Sequence, residues 1–238
     1  MGKIKIGLII FGLIAVVGLV VGGIIFAQNP LEEKIIALDA GHGGTETGGA
    51  VNQKYQVAEA DVNWDVVQAL KIKLEEQKAY VVVADRLSTR RDRVNDAVAK
   101  CAALDVNGDG VADNKKCDVL VSVHHNGSSD PTHDGTLTIY TQNSDKPLAE
   151  ALLNSLVPLT GRSEGMLKGG YGMTVYKNLV SAITEAYYIT NDWEAEQYYY
   201  SVDKDGNGII DRIEEEADAL LQGLSDYFSI PPTKPGRK

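Results

Sequence analysis

The run Ile35-Ile36-Ala37-Leu38-Asp39-Ala40, which breaks directly into Gly41-His42-Gly43-Gly44, most constrains how this chain can fold. An apolar stretch this short, bounded by a glycine turn, fits a strand buried on both faces, the strand of a parallel sheet. Open parallel sheets hold ligands beyond the carboxyl ends of their strands, so His42 stands where a site is expected. A histidine at a strand end also serves as a hydrogen-bonded structural residue, and this stretch alone does not decide between that role and metal ligation.

Further elements follow in alternation. Val62, Val66, Leu70 and Leu74 recur every four residues, the stripe of an amphipathic helix. Tyr80 to Ala84 reads as a second strand. Arg86 to Leu104 reads as a helix with Val94, Val98 and Cys101 or Ala102 on one face and Ser88 or Thr89 as its N-cap. Val119–Val123 and Thr136–Tyr140 read as strands, Leu148–Leu159 as a helix after Pro147, Leu179–Glu185 as a strand, and Ile210–Tyr227 as a closing helix. The pattern predicts a three-layer α/β domain over residues 35–228, a largely parallel sheet flanked by helices. With 44% hydrophobic residues the chain has enough apolar material for that core.

The N-terminus has a different character. Residues Ile6–Ala27 carry no charge, and at about 1.5 Å per residue the run spans roughly 33 Å as a helix, close to a bilayer's hydrocarbon thickness. Lys3 and Lys5 precede it, so the positive-inside rule leaves residues 1–5 in the cytoplasm and places everything after Gln28 outside the cell membrane. The alternative is secretion after signal cleavage, but the run exceeds the roughly 7–15 residues of a signal's apolar centre. Gly18 and Gly22 form a small-xxx-small pair of the kind that brings two such helices together. Residues 28–34 form a short joint, and the proline-rich tail 229–238 is expected to be disordered.

The net charge of −10, with no basic stripe to neutralise phosphates, argues against nucleic acid as a partner. Cys101 and Cys117 both follow the membrane segment, where disulfides persist. A bridge between them closes a short loop and contributes about 3 kcal/mol on the chain-entropy argument. The other reading is two separate buried thiols.

Three expected strand ends deliver polar residues to one edge: His42, then Ser122-Val123-His124-His125-Asn126, then Glu185, with Glu59 at the start of the first helix. Two imidazoles and a carboxylate form a tripod for Zn²⁺ with an open fourth position, and a second carboxylate beside it can act as a general base. His125 points to the opposite face if its strand continues. His133, in a Pro-Thr-His-Asp-Gly turn, is expected to be solvated.

Four ordered stretches carry a family resemblance: Leu38–Gly44, Glu59-Ala60-Asp61-Val62-Asn63, Ser122–Gly127 and Glu185-Ala186-Tyr187-Tyr188-Ile189-Thr190-Asn191. Together they resemble the motifs of the zinc-dependent N-acetylmuramoyl-L-alanine amidases, the amidase-3 family of cell-wall hydrolases. The resemblance implies zinc held by His42, Glu59 and His124, Glu185 as the catalytic carboxylate, and peptidoglycan as substrate, cut between N-acetylmuramic acid and L-alanine. It implies supporting roles for Asp39 and Asn126, and it places Arg86 and Arg93 where the family also has arginines. Those two either hold acidic groups of the substrate or form ion pairs on a helix surface. The segment Gly161–Asn178 is read as bordering the groove. An activating or regulatory protein partner is not named by any of these residues.

Two acidic stretches lie where insertions are expected. Asp203, Asp205, Asn207, Ile209, Asp211 and Glu214 occupy positions one, three, five, seven, nine and twelve of an EF-hand-like loop over 203–214, with Gly208 at position six and the apolar Ile210 at position eight. That oxygen spacing suits structural Ca²⁺. Asp105, Asn107, Asp109, Val111 and Asp113 repeat the opening of the pattern over 105–116, but Lys116 stands at position twelve, so weaker calcium binding is expected there. The reading against both is an Asp/Gly-rich surface turn. Two rivals to the amidase reading remain: a zinc peptidase cutting another stem-peptide amide, and a non-catalytic calcium-dependent wall-binding module.

Overall fold

Strands β1 (Ile35–Ala40), β2 (Tyr80–Val83), β3 (Val119–Asn126), β4 (Thr136–Tyr140), β5 (Ser163–Lys168) and β6 (Ser181–Tyr188) form one sheet in the order β2-β1-β3-β6-β4-β5. This is a computed structural model, and it describes residues 29–44, 48–176 and 178–231. Strands β2, β1, β3 and β6 run parallel, β4 joins β6 antiparallel, and β5 follows β4 in parallel. The sheet is therefore largely parallel with one reversal.

Alternation along the strands sorts the core into two layers. Ile36, Leu38, Val119, Val121 and Val123 face helices α1 (Glu59–Glu76), α3 (Lys146–Thr160) and α5 (Asp211–Ser229), through Val66, Leu70, Leu152, Leu156, Leu220 and Leu224. Ile35, Ala37, Leu120 and Ile183 face α2 (Arg90–Ala103), through Val94, Ala97 and Cys101. The same parity sends His124 and Glu185 to the α2 side and His125 to the other.

Several boundaries differ from expectation, each for a local reason. Helix α2 begins at Arg90, not Arg86, because Thr89 Oγ1 accepts the Asp92 amide at 3.1 Å and ends the preceding turn. Strand β6 runs to Tyr188, past the expected end at Glu185. Strand β5 was not expected: its residues are exposed or half-buried at the sheet edge, so it has no apolar alternation to reveal it. A short helix, α4 (Asp192–Tyr199), precedes the second acidic loop, capped by Asn191 Oδ1, which accepts the Trp193 amide at 2.8 Å. The joint is ordered where described: Leu31 is buried, and Asn29 Nδ2 donates to the Gln77 carbonyl at 2.8 Å.

Cys101 and Cys117 are bonded, tying the end of α2 to the start of β3 around the first acidic loop. No helix among the described residues is long and apolar enough to cross a membrane. The membrane span expected over 6–27, with residues 1–5, lies outside the described residues, as do 232–238 of the tail.

Candidate metal centre and catalytic cleft

At the end of β1 the chain turns sharply. The Gly41 amide donates to the Val123 carbonyl at 2.8 Å, and His42 adopts φ of 59°. A side chain at position 41 would run into the His124 imidazole, so glycine is what lets the two strand ends close on each other. Glu59, buried at the first position of α1, points back to the same place. Its Oε1 lies 3.5 Å from His42 Nε2 and 3.1 Å from His124 Nδ1. One ligand atom from each of His42, Glu59 and His124 falls within 4.8 Å of the others. A tetrahedral ion bonded to nitrogen and oxygen at about 2.1 Å separates its donors by about 3.3 Å, so this trio fits such an ion.

The electrostatics divide the carboxylates. Burial opposes charge on Glu59, but hydrogen bonding and charge from His124, with the Ala50 amide and His42, outweigh it and lower its pKa to about 2. Glu185 is paired in register with His124 on the adjacent strand. Burial pushes its pKa up to about 7; His124 pulls against that, while Glu59 adds to it. Its Oε2 is buried and has no hydrogen-bond partner. The two carboxylates are thus pushed apart in pKa, Glu59 toward the charged form and Glu185 toward the protonated one.

Behind the ligands lies a buried support. Asn63 Nδ2 donates to the Gly41 carbonyl at 2.8 Å and reaches Glu59 Oε1 at 3.4 Å. Its Oδ1 meets His125 Nδ1 at 2.6 Å, and His125 Nε2 meets Glu216 Oε2 at 2.8 Å. His125 therefore serves the core, on the face opposite the metal ligands.

Other expected residues fall out differently. Asp39 is buried behind the ligands' edge, where it accepts from Arg93 Nε at 2.8 Å and Ser122 Oγ at 2.5 Å. Arg93 is buried in that pair and also bonds the Ala40 carbonyl, so it is neither a surface ion pair nor a free substrate ligand. Arg86 donates to the carbonyls of His42 at 3.2 Å and Ala60 at 2.6 Å, clamping the turn to α1. Asn126 spends its side-chain oxygen on the Gly127 amide at 2.8 Å rather than on a ligand. His133 is not simply solvated, since its Nε2 meets Glu164 Oε1 at 3.0 Å and its ring stands edge-on to Tyr188.

The two acidic loops also separate. Asp203, Asp205 and Asp211 gather so that one oxygen of each lies within 4.8 Å of the others. Asn207 Nδ2 reaches both Asp205 Oδ2 at 3.1 Å and Glu214 Oε2 at 2.9 Å, drawing position twelve toward the loop. In the first loop Asp105 accepts the amides of Gly108, Asp109 and Gly110, and Asp113 accepts that of Val106. Among the described residues its carboxylates form no such gathering.

The comparisons with known proteins bear on this geometry. The amidase-3 family model, described as N-acetylmuramoyl-L-alanine amidase, matches residues 36–214. The chain belongs to the N-acetylmuramoyl-L-alanine amidase family. Its match to the family spans His42, Glu59, His124 and Glu185, and so the whole cleft edge. The amidase is 28% identical to the uncharacterized protein YqiI of Bacillus subtilis over 207 residues, covering 85% of this chain and 88% of that one. It is 26% identical to the N-acetylmuramoyl-L-alanine amidase LytC of Bacillus subtilis, covering 84% of this chain but 37% of LytC. In fold it is similar to the catalytic domain of CwlV from Bacillus (Paenibacillus) polymyxa var. colistinus, at a TM-score of 0.65 and 23% identity, covering 83% of this chain and 99% of that one.

Sequence reasoning missed three parts of the amidase's site. Asn63, four residues after Glu59, shares its helix face, and that spacing is a signal that finds it. Glu216 carries no such signal, standing 91 residues from His125. Arg90, on α2, lines the cleft with His124 and Glu185; Tyr171 and Met173 line it too, from the segment Gly161–Asn178 that the sequence places at the border of the groove.

Proposed function

We propose that this protein is a zinc-dependent peptidoglycan hydrolase that cuts the amide between N-acetylmuramic acid and the L-alanine of the stem peptide. The observation that carries the reading is the unpartnered Glu185 oxygen beside three converging metal-type donors. Two imidazole nitrogens and a carboxylate oxygen are the borderline donors Zn²⁺ prefers, and they leave a fourth position toward the cleft. Zinc held there supplies Lewis-acid polarisation of the amide carbonyl and lowers the pKa of water toward neutrality.

The chain's own residues do the rest. Glu185 accepts a proton from the attacking water at Oε2. As the new C–O bond forms and the C–N bond breaks, it returns that proton to the alanine nitrogen. Glu59 stays ionised throughout, and Asn63 fixes both its orientation and the Gly41 turn that carries His42. Asp39 holds Arg93 against the back of the same edge.

Two further assignments belong to this reading. Residues 6–27 anchor the protein as a single span, with the catalytic domain outside the cytoplasm. The 203–214 loop takes structural Ca²⁺, supported by its three gathered aspartates and the approach of Glu214.

The test is digestion of purified peptidoglycan by the full chain with and without a zinc chelator, followed by mass spectrometry. Release of stem peptides with a free N-terminal alanine, lost on chelation, is the expected result. Cleavage at another stem-peptide amide would make it a zinc peptidase, and wall binding without release would make it a binding module.

A further inference from the structure

Arg90 and Arg93 line the cleft and Arg86 stands at the turn after β1; the protein uses Arg86 and Arg93 internally. Arg86 is spent on the carbonyls of His42 and Ala60, and Arg93 on Asp39 and the Ala40 carbonyl. Arg90, at the first position of α2, has no hydrogen bond or ion pair among the described residues. The nearest acid in sequence, Asp92, is taken by the Thr89 hydroxyl at 2.7 Å. Arg90 is exposed, yet it lines the same cleft as His124 and Glu185.

Its position is built rather than accidental. Gly172, at φ of 40°, lies against the Arg90 stem, and any side chain there would collide with Arg90 Cδ. The turn Gly172–Thr174 and the start of α2 therefore hold the guanidinium on the cleft wall, with Tyr171 and Met173 beside it. Of the other charged residues lining the cleft, Glu185 repels an anion and Arg93 is already paired with Asp39. Arg90 is the lining cation that an anionic group can reach without displacing a described partner.

The chemistry of the proposed substrate decides which group that is. The lactyl carboxyl of N-acetylmuramic acid is consumed in the scissile amide, and the sugar itself is neutral. Fixed negative charge near the bond therefore lies on the peptide side. Resting on the amidase reading, we propose that Arg90 binds a free carboxylate on the stem-peptide residue that follows the L-alanine. Two residue steps of about 3.5 Å place such a carboxylate about 7 Å from the scissile nitrogen, a distance an arginine side chain spans. The planar guanidinium takes a carboxylate with two parallel hydrogen bonds, which a carboxamide cannot match. The peptide then lies toward α2, the glycan lies away from it, and the enzyme prefers peptides whose second residue is not amidated.

The experiment uses the full chain, metal-loaded, with two soluble muramyl tripeptides. They differ only in whether the second residue carries a free α-carboxylate or a carboxamide. Wild type is expected to cleave the carboxylate form with a kcat/KM about 10- to 50-fold higher, the range of a charge-assisted hydrogen-bond pair. Arg90→Gln should bring the carboxylate form down to the carboxamide's level while changing the carboxamide less than about twofold, and Arg90→Lys should recover part of the difference. Equal turnover of both peptides by wild type, or an equal loss on both in Arg90→Gln, overturns the proposal. Failure of wild type to cleave either peptide overturns the amidase reading itself, and the proposal with it.

Discussion

His124 and His125 are neighbours on β3, and each sits against a carboxylate, yet one belongs to a site and the other to the core. Their electrostatics are alike. Burial works against the protonated ring in both; Glu59 and Glu185 outweigh it at His124, and Glu216 with Glu59 does so at His125, so both pKa values are raised. What differs is access. His125 is bonded at both ring nitrogens and its side chain is 0% exposed, so the Glu216 oxygen left without a described partner beside it is sealed in the core; the His124 side chain is 15% exposed, and the Glu185 oxygen without a described partner beside it belongs to a residue that lines the cleft. A perturbed histidine–carboxylate pair is therefore not the mark of function here. The mark is an unpartnered carboxylate at the cleft.

The sharpest way to break this contrast is to remove that carboxylate. Glu185→Gln should lower hydrolysis of peptidoglycan by about 10³-fold or more, the scale of general acid–base catalysis, while bound metal stays at the wild-type ratio. Loss of metal along with activity would make Glu185 a ligand rather than a proton carrier. Metal analysis on the purified variant decides it.

Next come the histidines themselves. His124→Ala should abolish metal retention with the fold intact, because two donors do not hold the ion. His125→Ala should do the reverse: metal retained, and stability to chemical denaturation reduced by about 3–5 kcal/mol, because Glu216 is left buried without its counter-charge. If a folded His125→Ala protein loses metal as completely as His124→Ala, the division between the two faces is wrong.

Much of this contrast is readable in the chain, for a physical reason. Buried parallel strands are apolar runs, so the places where polar residues interrupt or end the runs of β1, β3 and β6 are visible, and with them His42, His124 and Glu185. Strand parity likewise sends His125 to the opposite face from His124. What stays hidden depends on partners distant in sequence. Arg93 has the polarity of a surface residue, and only Asp39, 54 positions away, makes it a core residue. Strand β5 pairs along a half-exposed edge, where nothing in the sequence alternates. Arg90 takes its meaning from Gly172, a glycine in a segment whose composition shows only that it is a loop.

A smaller effect separates the two carboxylates of the cleft. In metal-free protein Glu185 has its pKa raised to about 7, so between the ordinary carboxylate value and 7 the folded state holds a proton that the unfolded state has lost. Stability therefore falls as pH rises through roughly 4.5 to 7, by about 3 kcal/mol from this group, and is flat above. Glu59, with its pKa lowered to about 2, has the opposite sign: its contribution is present above the ordinary carboxylate range and is lost as pH falls toward 2. Denaturation curves of chelator-treated protein across pH 4.5 to 7 check this, and Glu185→Gln should flatten that limb while leaving the acid limb due to Glu59. An unchanged slope in Glu185→Gln would place the spare proton elsewhere.

The smallest expected effect contrasts the two acidic loops, far from the cleft. Asp203 has its pKa lowered chiefly by the Gly208 amide, and its loop gathers three carboxylates; in the first loop Asp105 likewise accepts amides of its own loop, but no such gathering forms among the described residues, and the Cys101–Cys117 bond closes it. If the second loop takes Ca²⁺, calcium at about ten times its Kd stabilises the fold by about 1.4 kcal/mol, and a chain of this size gains about 3–5 °C in Tm. Asp203→Ala should abolish that gain, and Asp105→Ala should leave it in place. Because α5 begins within the second loop and carries Glu216 to His125, loosening the loop acts first on the sealed histidine and only through it on the ligands. Calcium removal should therefore lower Tm while zinc content and the kcat of the folded enzyme at low temperature hold steady; a loss of zinc on calcium removal well below the Tm would join the two histidine faces into one unit.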